Sequence, residues 1–349
     1  MLRNLFSYKC IDAKLYLIIL QEVGFMREIK WAVLGTGVIA NQMAEALQKN
    51  GKSIYSVANR THEKAVQFAK KYNIAKVYDN MNDVFDDPEV DVVYITTPHN
   101  THIEFMRKAI NHGKHILVEK SITLNSDELN EALTLADEKN VVVGEAMTIF
   151  HMPIYKELKR IIDSGTLGKI NLITMNFGSF KEYDMTNRFF NRNLAGGAML
   201  DIGVYALSFI RWFMNSKPTK ILSQVKTAPT GVDEQAGLLL MNNEGQMASV
   251  MLSLHSKQPK RGMISCEKGY IEILEYPRAW EATITDAETG KTEVIKAGEN
   301  ADALAYELAD MERAINGDTA CMHLEYTKDV MELMTAFRKE WGLKYPEEE

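Results

Sequence analysis

The chain has 349 residues, of which 46% are hydrophobic and 25% charged, and its formal net charge is −7. This is the composition of an ordinary globular protein that is long enough for two domains with separate cores. Its pI near 5.7 and the lack of a basic stripe argue against binding to nucleic acid or to an anionic membrane surface.

The first 25 residues carry no functional signal. Leu15–Leu20 is apolar but too short to span a bilayer, and Asp12 and Lys14 interrupt it as a signal peptide. We therefore expect residues 1–25 to be an extension or a start artefact. The three cysteines lie far apart without CxxC spacing, which favours a reducing cytoplasm, with no disulfide framework and no Cys-based metal site.

The apolar run Trp31–Leu34 is followed at once by Gly35-x-Gly37-x-x-Ala40 and then by apolar residues at helical spacing. Strand, glycine turn and helix in this order predict a dinucleotide site. Gly35 permits the tight turn, Gly37 lets a pyrophosphate approach, and the helix N-terminus supplies free N–H groups and a positive dipole end. We expect five residues to cradle the pyrophosphate: Gly35, Thr36, Gly37, Val38 and Ile39.

Ser53–Ala58 is predicted as the second strand, and Asn59-Arg60-Thr61 follows it. NAD-preferring sites place a carboxylate here to bind the ribose 2′-OH. With no carboxylate present, a guanidinium and a hydroxyl favour a 2′-phosphate. We predict NADP as the cofactor, with NAD as the alternative, and assign Asn59, Arg60 and Thr61 to cofactor binding. The competing interpretation is that Arg60 is only a solvated surface charge.

Alternating helices and strands continue to about residue 145 and predict a doubly wound parallel sheet. Its later strands end in Thr97-Pro98 and in Glu119-Lys120-Ser121. Because ligands bind at the carboxyl ends of such strands, we expect Thr97, Pro98, His102 and Glu119 to border the ribose and the nicotinamide. The next helix is predicted at Asn125–Lys139, with Ser126 as its N-cap.

From about residue 150 the pattern changes to longer strands with two-residue alternation, which predicts an antiparallel sheet. One apolar helix, Leu200–Asn215, interrupts these strands, and helices at Ala303–Asn316 and Glu325–Trp341 end the chain. We predict an α/β protein with a dinucleotide-binding Rossmann domain at 26–147 and a substrate-binding and oligomerisation domain at 148–349.

Lys120 is the first candidate for acid–base chemistry. At the end of a buried strand, desolvation lowers the pKa of a lysine, and the positive ring of an oxidised nicotinamide acts in the same direction. The alternative is a surface lysine paired with Glu119. Asp201 and Tyr205 are four residues apart on an apolar helix, where a carboxylate and a phenol are costly unless paired or functional. The alternative for these two is a capping Asp and an ordinary core Tyr.

The histidines of the central region, His99, His102 and His151, lie without the regular spacing of metal ligands. A metal site needs several ligands at such spacing. We therefore predict no metal.

Together these motifs resemble the glucose–fructose oxidoreductase / inositol dehydrogenase (Gfo/Idh/MocA) family over about residues 27–340. The motifs that carry the resemblance are Gly35–Ala40, Thr97-Pro98 with His102, Glu119-Lys120, and Gly196-Gly197-Ala198 with Asp201, Gly203 and Tyr205. The resemblance implies a Rossmann domain, then an α/β domain whose large open-faced sheet forms the interface of a homodimer or homotetramer. It also implies that Lys120 acts near nicotinamide C4 and the substrate hydroxyl, with Asp201 and residue 205 beside it.

Tyr at position 205 resembles the branch of the family that includes dihydrodiol and xylose dehydrogenases, a branch that commonly uses NADP. The chain departs from the family pattern at three positions. Ser121 replaces the proline of Glu-Lys-Pro, and a serine restricts the backbone of the preceding lysine less than a proline does. His99 stands where Asn is frequent, and Phe150 where Arg is frequent. These departures weaken a prediction of the substrate but leave the reaction class.

We therefore expect a cytoplasmic, NADP-dependent oxidoreductase that moves a hydride between nicotinamide and a carbinol carbon of a sugar, polyol or trans-dihydrodiol. Lys120 exchanges the hydroxyl proton with help from Tyr205, and Asp201 orients Lys120 or a substrate hydroxyl. Two alternatives remain from other classes. One is a non-redox enzyme that retains its nucleotide for an elimination or a glycoside cleavage. The other is a nucleotide-sensing regulatory protein on the same fold.

Overall fold

The computed structural model describes residues 28–349, so the extension predicted at residues 1–25 lies outside the described residues. Six short strands form the first sheet: β1 Trp31–Leu34, β2 Ser56–Ala58, β3 Lys76–Val77, β4 Val92–Ile95, β5 His115–Glu119 and β6 Val143–Ala146. All pairs are parallel, in the order β3-β2-β1-β4-β5-β6. The order reverses between β1 and β4, where doubly wound sheets bind dinucleotides.

Helices connect these strands and continue beyond them. Their bounds are α1 Val38–Lys49, α2 His62–Tyr72, α3 Asp83–Asp86, α4 His102–Asn111, α5 Ser126–Lys139, α6 Thr148–His151, α7 Pro153–Asp163, α8 Val204–Phe213, α9 Ala303–Ile315 and α10 Leu324–Glu340. One predicted cap is wrong. The side chain of Asn125, not Ser126, accepts from the backbone N–H groups of Asp127 and Glu128, because its amide oxygen reaches the free donors of the first turn.

Eight longer strands form the second sheet: β7 Ile170–Gly178, β8 Lys220–Thr227, β9 Asp233–Met241, β10 Met247–Ser253, β11 Arg261–Cys266, β12 Gly269–Leu274, β13 Glu281–Asp286 and β14 Thr292–Lys296. Their order is β14-β13-β12-β11-β7-β10-β9-β8. Every pairing is antiparallel except that of β7 with β10. The predicted fold class is therefore confirmed.

The apolar helix α8 covers one face of this second sheet. Gly262 of β11 lets the ring of Phe209 approach, since a Cβ there would lie 2.7 Å from Phe209 Cζ. The stretch Arg192–Phe213 has the length and hydropathy of a membrane span, yet 78% of its apolar window is buried. The helical part of this stretch, Met199–Phe213, is thus a core helix packed on the second sheet.

The helix α9 packs against the first sheet, although it follows the second sheet in the chain. Leu308 and Met311 of α9 lie in one apolar cluster with Trp31 and Met43, and Trp31 Nε1 donates to Glu312 Oε1 at 3.3 Å. The domain boundary at 147/148 stays a prediction. Residues of α9, which follow this boundary in the chain, nonetheless complete the core of the first sheet. The part of the chain after residue 147 therefore packs against both sheets.

Candidate active site

The glycine turn between β1 and α1 has the geometry of a phosphate cradle. Gly35 adopts φ +100°, and its N–H donates to Ala58 O at 2.9 Å. A Cβ at Gly35 would lie 2.6 Å from Thr96 Oγ1, whereas a Cβ at Gly37 would meet nothing within 4 Å. The turn therefore requires Gly35 for its conformation, and Gly37 leaves open space in front of the helix.

The N-terminus of α1 is free to bind an anion. Gly37 is the N-cap and no side chain caps the helix or places an acid in its first turn. The side chain of Val38 is 78% exposed beside it. Uncapped N–H groups and the positive dipole end suit a pyrophosphate. The residues present thus fit a bound dinucleotide.

Asn59, Arg60 and Thr61 lie directly after β2, next to the glycine turn, because Ala58 O accepts the Gly35 N–H. Asn59 Nδ2 donates to Thr61 O at 2.9 Å, which closes the turn into α2. Arg60 is exposed. Within residues 28–349 its guanidinium forms no ion pair, so its charge is available at the place where a cofactor 2′-substituent would lie.

The backbone of Lys120 is held from several sides at the end of β5. His99 Nε2 faces Lys120 O at 3.1 Å, and His102 Nδ1 faces Ser121 O at 3.0 Å. Ser121 Oγ donates to Leu200 O at 2.9 Å. The serine that replaces the family's proline thus ties the lysine strand to the turn that carries Asp201.

His102, which we expect to border the ribose, is fully buried, and its other nitrogen, Nε2, faces Thr97 O at 2.8 Å. Burial lowers the pKa of the ring, so the neutral imidazole donates from one nitrogen, to a backbone carbonyl after β4 or after β5. The ring thus lies between the ends of these two strands. Its contact with the ribose stays a prediction.

Lys120, Asp201 and Tyr205 come together in the cleft. Lys120 Nζ donates to Asp201 O at 2.7 Å and lies 3.5 Å from Asp201 Oδ1. The same ammonium lies 4.8 Å from the centroid of the Tyr205 ring. Lys120 and Asp201 side chains are each 13% exposed. The arrangement excludes the alternative of a surface lysine paired only with Glu119.

The charges in this group favour a protonated lysine. Burial lowers the pKa of Lys120, but Tyr205, Asp201 and Glu119 together outweigh burial and raise it above the usual lysine value. The prediction of a lowered pKa is therefore wrong for the protein alone. Burial acts in the expected direction, but the sequence does not show how strongly the neighbouring groups act on the ammonium. Burial raises the pKa of Tyr205, so its phenol is neutral near pH 7.

A single π-helical turn, Met199–Gly203, precedes α8 and carries Asp201. Such turns are frequent at functional sites. The predicted regular helix over 200–215 is thus shorter, and its first turn is wider. The carboxylate of Asp233 accepts from Met199 N at 2.5 Å, and a Cβ at Gly197, which has φ +126°, would collide with Asp233. Gly197 and Asp233 together set the start of the turn that presents Asp201.

Two carboxyl groups near Lys120, those of Glu119 and Glu145, are held by hydrogen bonds. Tyr94 Oη donates to Glu119 Oε1, which fixes Glu119 in the wall of the cleft. Glu145 Oε1 accepts from Ile122 N at 3.2 Å, and its Oε2 accepts from Thr327 Oγ1 at 2.9 Å. Burial raises the pKa of Glu145 to about 7, although these hydrogen bonds and the charge of Lys120 act in the opposite direction.

We expect Glu145→Gln to stabilise the protein above neutral pH. Because the pKa rises from 4.5 in an ordinary glutamate to about 7 in the fold, the stability that protonated Glu145 contributes is present below pH 4.5 and is lost as pH rises through 7. The variant is always neutral; its amide oxygen accepts from Ile122 N, and its NH2 group donates to Thr327 Oγ1, which reverses the direction of that hydrogen bond. Denaturant unfolding should show a gain of roughly 2 to 3 kcal/mol at pH 8 that vanishes near pH 4.5. The exposed Glu138→Gln is the control, and an equal gain at both pH values would contradict the prediction.

The structure brings most predicted site residues into one cleft of about 440 Å³, here called the active-site cleft. The predicted residues that line it are Gly37, Val38, Ile39, Thr97, Pro98, Glu119, Lys120, Asp201 and Tyr205. Gly35 and Thr36 belong to the turn that precedes Gly37, and Asn59, Arg60 and Thr61 do not line the cleft but follow Ala58, whose carbonyl oxygen accepts from Gly35 N. Sequence reasoning missed His99, Ser121 and Arg188, whose roles depend on contacts between distant segments.

Within residues 28–349, no three His, Cys, Asp or Glu side chains are grouped so that they could hold a metal ion. His151 Nδ1 instead faces Asp310 Oδ2 at 2.9 Å in a buried pair. The absence of a metal stays a prediction for the whole chain.

Two family models match the chain. The oxidoreductase family model with an NAD-binding Rossmann fold matches residues 29–147, and the GFO/IDH/MocA C-terminal domain matches residues 155–272. The trans-1,2-dihydrobenzene-1,2-diol dehydrogenase of Xenopus laevis is 27% identical over 329 residues, which are 91% of this chain and 99% of that protein. The enzyme of the same name from Mus musculus is 30% identical over 70% of this chain and 74% of that protein.

Solved structures share the fold. KijD10, a 3-ketoreductase from Actinomadura kijaniata in complex with NADP and TDP-benzene, superposes with a TM-score of 0.80 at 19% identity, covering 90% of this chain and 98% of that chain. The UDP-N-acetylglucosamine 3-dehydrogenase GnnA from Acidithiobacillus ferrooxidans gives a TM-score of 0.75 at the same identity and coverage. The matched models span more than half of the sequence and carry a nicotinamide-dinucleotide domain. The chain therefore belongs to the GFO/IDH/MocA family of oxidoreductases, which are dehydrogenases and reductases acting on CH–OH groups.

Proposed function

We propose that this oxidoreductase is NADP-dependent and acts on a carbinol carbon of a sugar, polyol or trans-dihydrodiol. The observation that carries the proposal is one cleft that is lined both by the open helix N-terminus at Gly37 and by Lys120, Asp201 and Tyr205. A pyrophosphate held at the helix N-terminus brings the reactive end of a dinucleotide toward these three side chains. The diol and sugar classes are supported by the names of the relatives.

The residues that would hold the cofactor lie at the carboxyl ends of three strands, β1, β4 and β5. The turn Gly35–Ile39 would hold the pyrophosphate with backbone N–H groups, and Thr97, Pro98 and Glu119 would border the ribose and the nicotinamide. When bound, the nicotinamide accepts or gives the hydride at C4. The chain itself must position the substrate carbon and exchange the hydroxyl proton.

Lys120 is the group that exchanges this proton. With its raised pKa it enters the reaction as an ammonium, which donates to the carbonyl oxygen in the direction of reduction. Oxidation needs the neutral amine as a base, and the positive charge of an oxidised nicotinamide favours that form. Tyr205 adds a neutral phenol donor beside the same oxygen. Asp201 accepts from Lys120 or from a substrate hydroxyl and so orients both.

Arg60 is proposed to bind the 2′-phosphate of NADP. We expect wild type to bind NADPH at least ~10-fold more tightly than NADH, about 1.4 kcal/mol, and Arg60→Ala to erase this difference because the guanidinium is the available cation after β2. Titration of nicotinamide fluorescence measures both affinities. Equal binding of NADH by wild type would refute the NADP preference, and failure of both nucleotides to bind would refute the whole proposal.

We also propose that the uncovered face of the second sheet joins two copies of the chain. Large apolar side chains are exposed there on four neighbouring strands: Leu172, Leu222, Leu239, Met247 and Met251. An apolar face of this kind marks an interaction surface. Leu222→Lys with Met251→Lys should convert a dimer or tetramer to monomers in sedimentation analysis, and a monomeric wild type would refute the proposal.

The cytoplasmic location remains a prediction that cell fractionation would check.

A further inference from the structure

The rim of the active-site cleft carries an excess of positive charge around one carboxylate. Lys120 Nζ and Arg188 Nη2 each lie 3.5 Å from Asp201 Oδ1. Lys181 is a third cation whose charge interacts with the same Asp201. Within residues 28–349 no other carboxylate lies within 4 Å of the side-chain nitrogens of Lys181 or Arg188. Two cations therefore lie against Asp201, and Lys181 is close enough for its charge to be felt there.

The ring of Phe189 holds two of these cations at the cleft. Lys181 Nζ lies 4.1 Å and Arg188 Cζ lies 4.3 Å from the ring centroid, and Phe189 itself lines the cleft. Burial and the positive charges of Arg188, Lys120 and Lys260 lower the pKa of Lys181, against the influence of Asp201. A half-buried ammonium among like charges is unfavourable until an anion arrives. The excess is notable in a chain of net charge −7.

The position of Lys181 and Arg188 does not suit the phosphates of the cofactor. They are expected at the N-terminus of α1, on the first sheet, whereas Lys181 and Arg188 belong to the segment that follows β7 in the second sheet. Asp201 Oδ1 lies 3.5 Å from both Lys120 Nζ and Arg188 Nη2. With Lys120 at the reacting carbon, Arg188 and Lys181 are expected to face the part of a substrate that extends away from that carbon.

We propose that Lys181 and Arg188 bind an anionic group of the substrate, a carboxylate or a phosphate ester carried by the polyol. This inference rests on the proposed function and narrows its substrate class from neutral diols and sugars to sugar acids or sugar phosphates. Lys181 and Arg188 then determine specificity, while Lys120 and Tyr205 perform the proton exchange.

The first test measures binding of inorganic phosphate by calorimetry, with NADPH at saturation so that the cofactor end of the cleft is filled. Wild type and Lys181→Arg should bind phosphate, Lys181→Met should bind at least ~10-fold more weakly, and the exposed control Lys139→Met should match wild type. Higher ionic strength should weaken the binding. Three outcomes would each overturn the proposal: wild type binds no phosphate, Lys181→Met binds it as tightly as wild type, or NADPH displaces it. Displacement would assign the two cations to the cofactor instead.

The second test compares substrates that differ in charge: D-glucose, D-glucuronate, D-glucose 6-phosphate and trans-1,2-dihydrobenzene-1,2-diol, each with NADP. We expect Lys181→Met to raise KM for the charged compounds at least ~10-fold and to leave kcat and the KM of uncharged compounds unchanged. The uronate and the phosphate ester distinguish the two sources of negative charge. An unchanged KM of Lys181→Met for the charged compounds, with efficient turnover of the neutral diol by wild type, would overturn the anion site and leave the proposed function intact. A protein that binds no nucleotide would refute the function, and the phosphate titration without NADPH would still decide the anion site.

Discussion

Replacing Lys120 by methionine should lower kcat by roughly 100- to 10,000-fold, the usual contribution of a positioned acid or base, and leave NADPH affinity nearly unchanged. The ammonium is the group that lies against both Asp201 and Tyr205, and methionine keeps its length and removes its proton. Steady-state kinetics and nicotinamide fluorescence on the same preparation separate the two quantities.

The pH profile supplies a readout that a purely structural role would not alter. In wild type the rate of alcohol oxidation should rise with pH as Lys120 loses its proton, because the pKa of the lysine is raised by Tyr205, Asp201 and Glu119 in spite of burial. The variant should lack this rise. The control is Lys139→Met on an exposed helix end, and a fully active Lys120→Met would remove the lysine from the mechanism.

The parts of the site that lie within one short segment could be predicted from the sequence. The turn Gly35–Ile39 is such a segment, since its strand, glycines and helix follow one another directly and the backbone requirement at Gly35 is local. The alternation of β and α elements predicted the first sheet, and two-residue alternation predicted the second. Lys120 and Tyr205 could be named because each occupies a recognisable place in such an element.

Contacts between distant segments could not be predicted. The sign of the pKa shift at Lys120 depends on groups that belong to a strand, a π-helical turn and a helix, and periodicity says nothing about their distances from the ammonium. Ser121 was expected only to loosen the lysine, whereas its hydroxyl binds Leu200 O. The packing of α9 on β1 likewise depends on the return of the chain across the cleft.

The π-helical turn at Met199–Gly203 was missed for a similar reason. Its sequence is largely apolar and predicts the start of a regular helix. The carboxylate of Asp233, more than thirty residues later in the chain, binds Met199 N and reaches so close to Gly197 that a side chain there has no room. A long-range hydrogen bond thus sets a local conformation that helical spacing alone does not contain.

Replacing Gly37 by valine should abolish cofactor binding without unfolding the protein. Gly37 has φ −73° and ψ −170°, which an L-residue adopts without strain, and a Cβ there meets no atom within 4 Å. The new side chain fills the space through which pyrophosphate oxygens reach the N–H groups of α1. Loss of two charge-assisted hydrogen bonds, each about 1.5 to 3 kcal/mol, predicts a rise of at least ~100-fold in the Kd of NADPH, with an unchanged Tm.

Gly35→Ala should instead lower the Tm, which distinguishes it from Gly37→Val. Gly35 requires φ +100°, and its Cβ would lie 2.6 Å from Thr96 Oγ1. Strain and overlap at this turn cost about 1 to 3 kcal/mol, so Tm falls whether or not nucleotide is present. If Gly37→Val binds NADPH as wild type does, the dinucleotide does not lie across the N-terminus of α1. The open space at Gly37 would then have no part in binding, and the cofactor site would have to be sought elsewhere in the cleft.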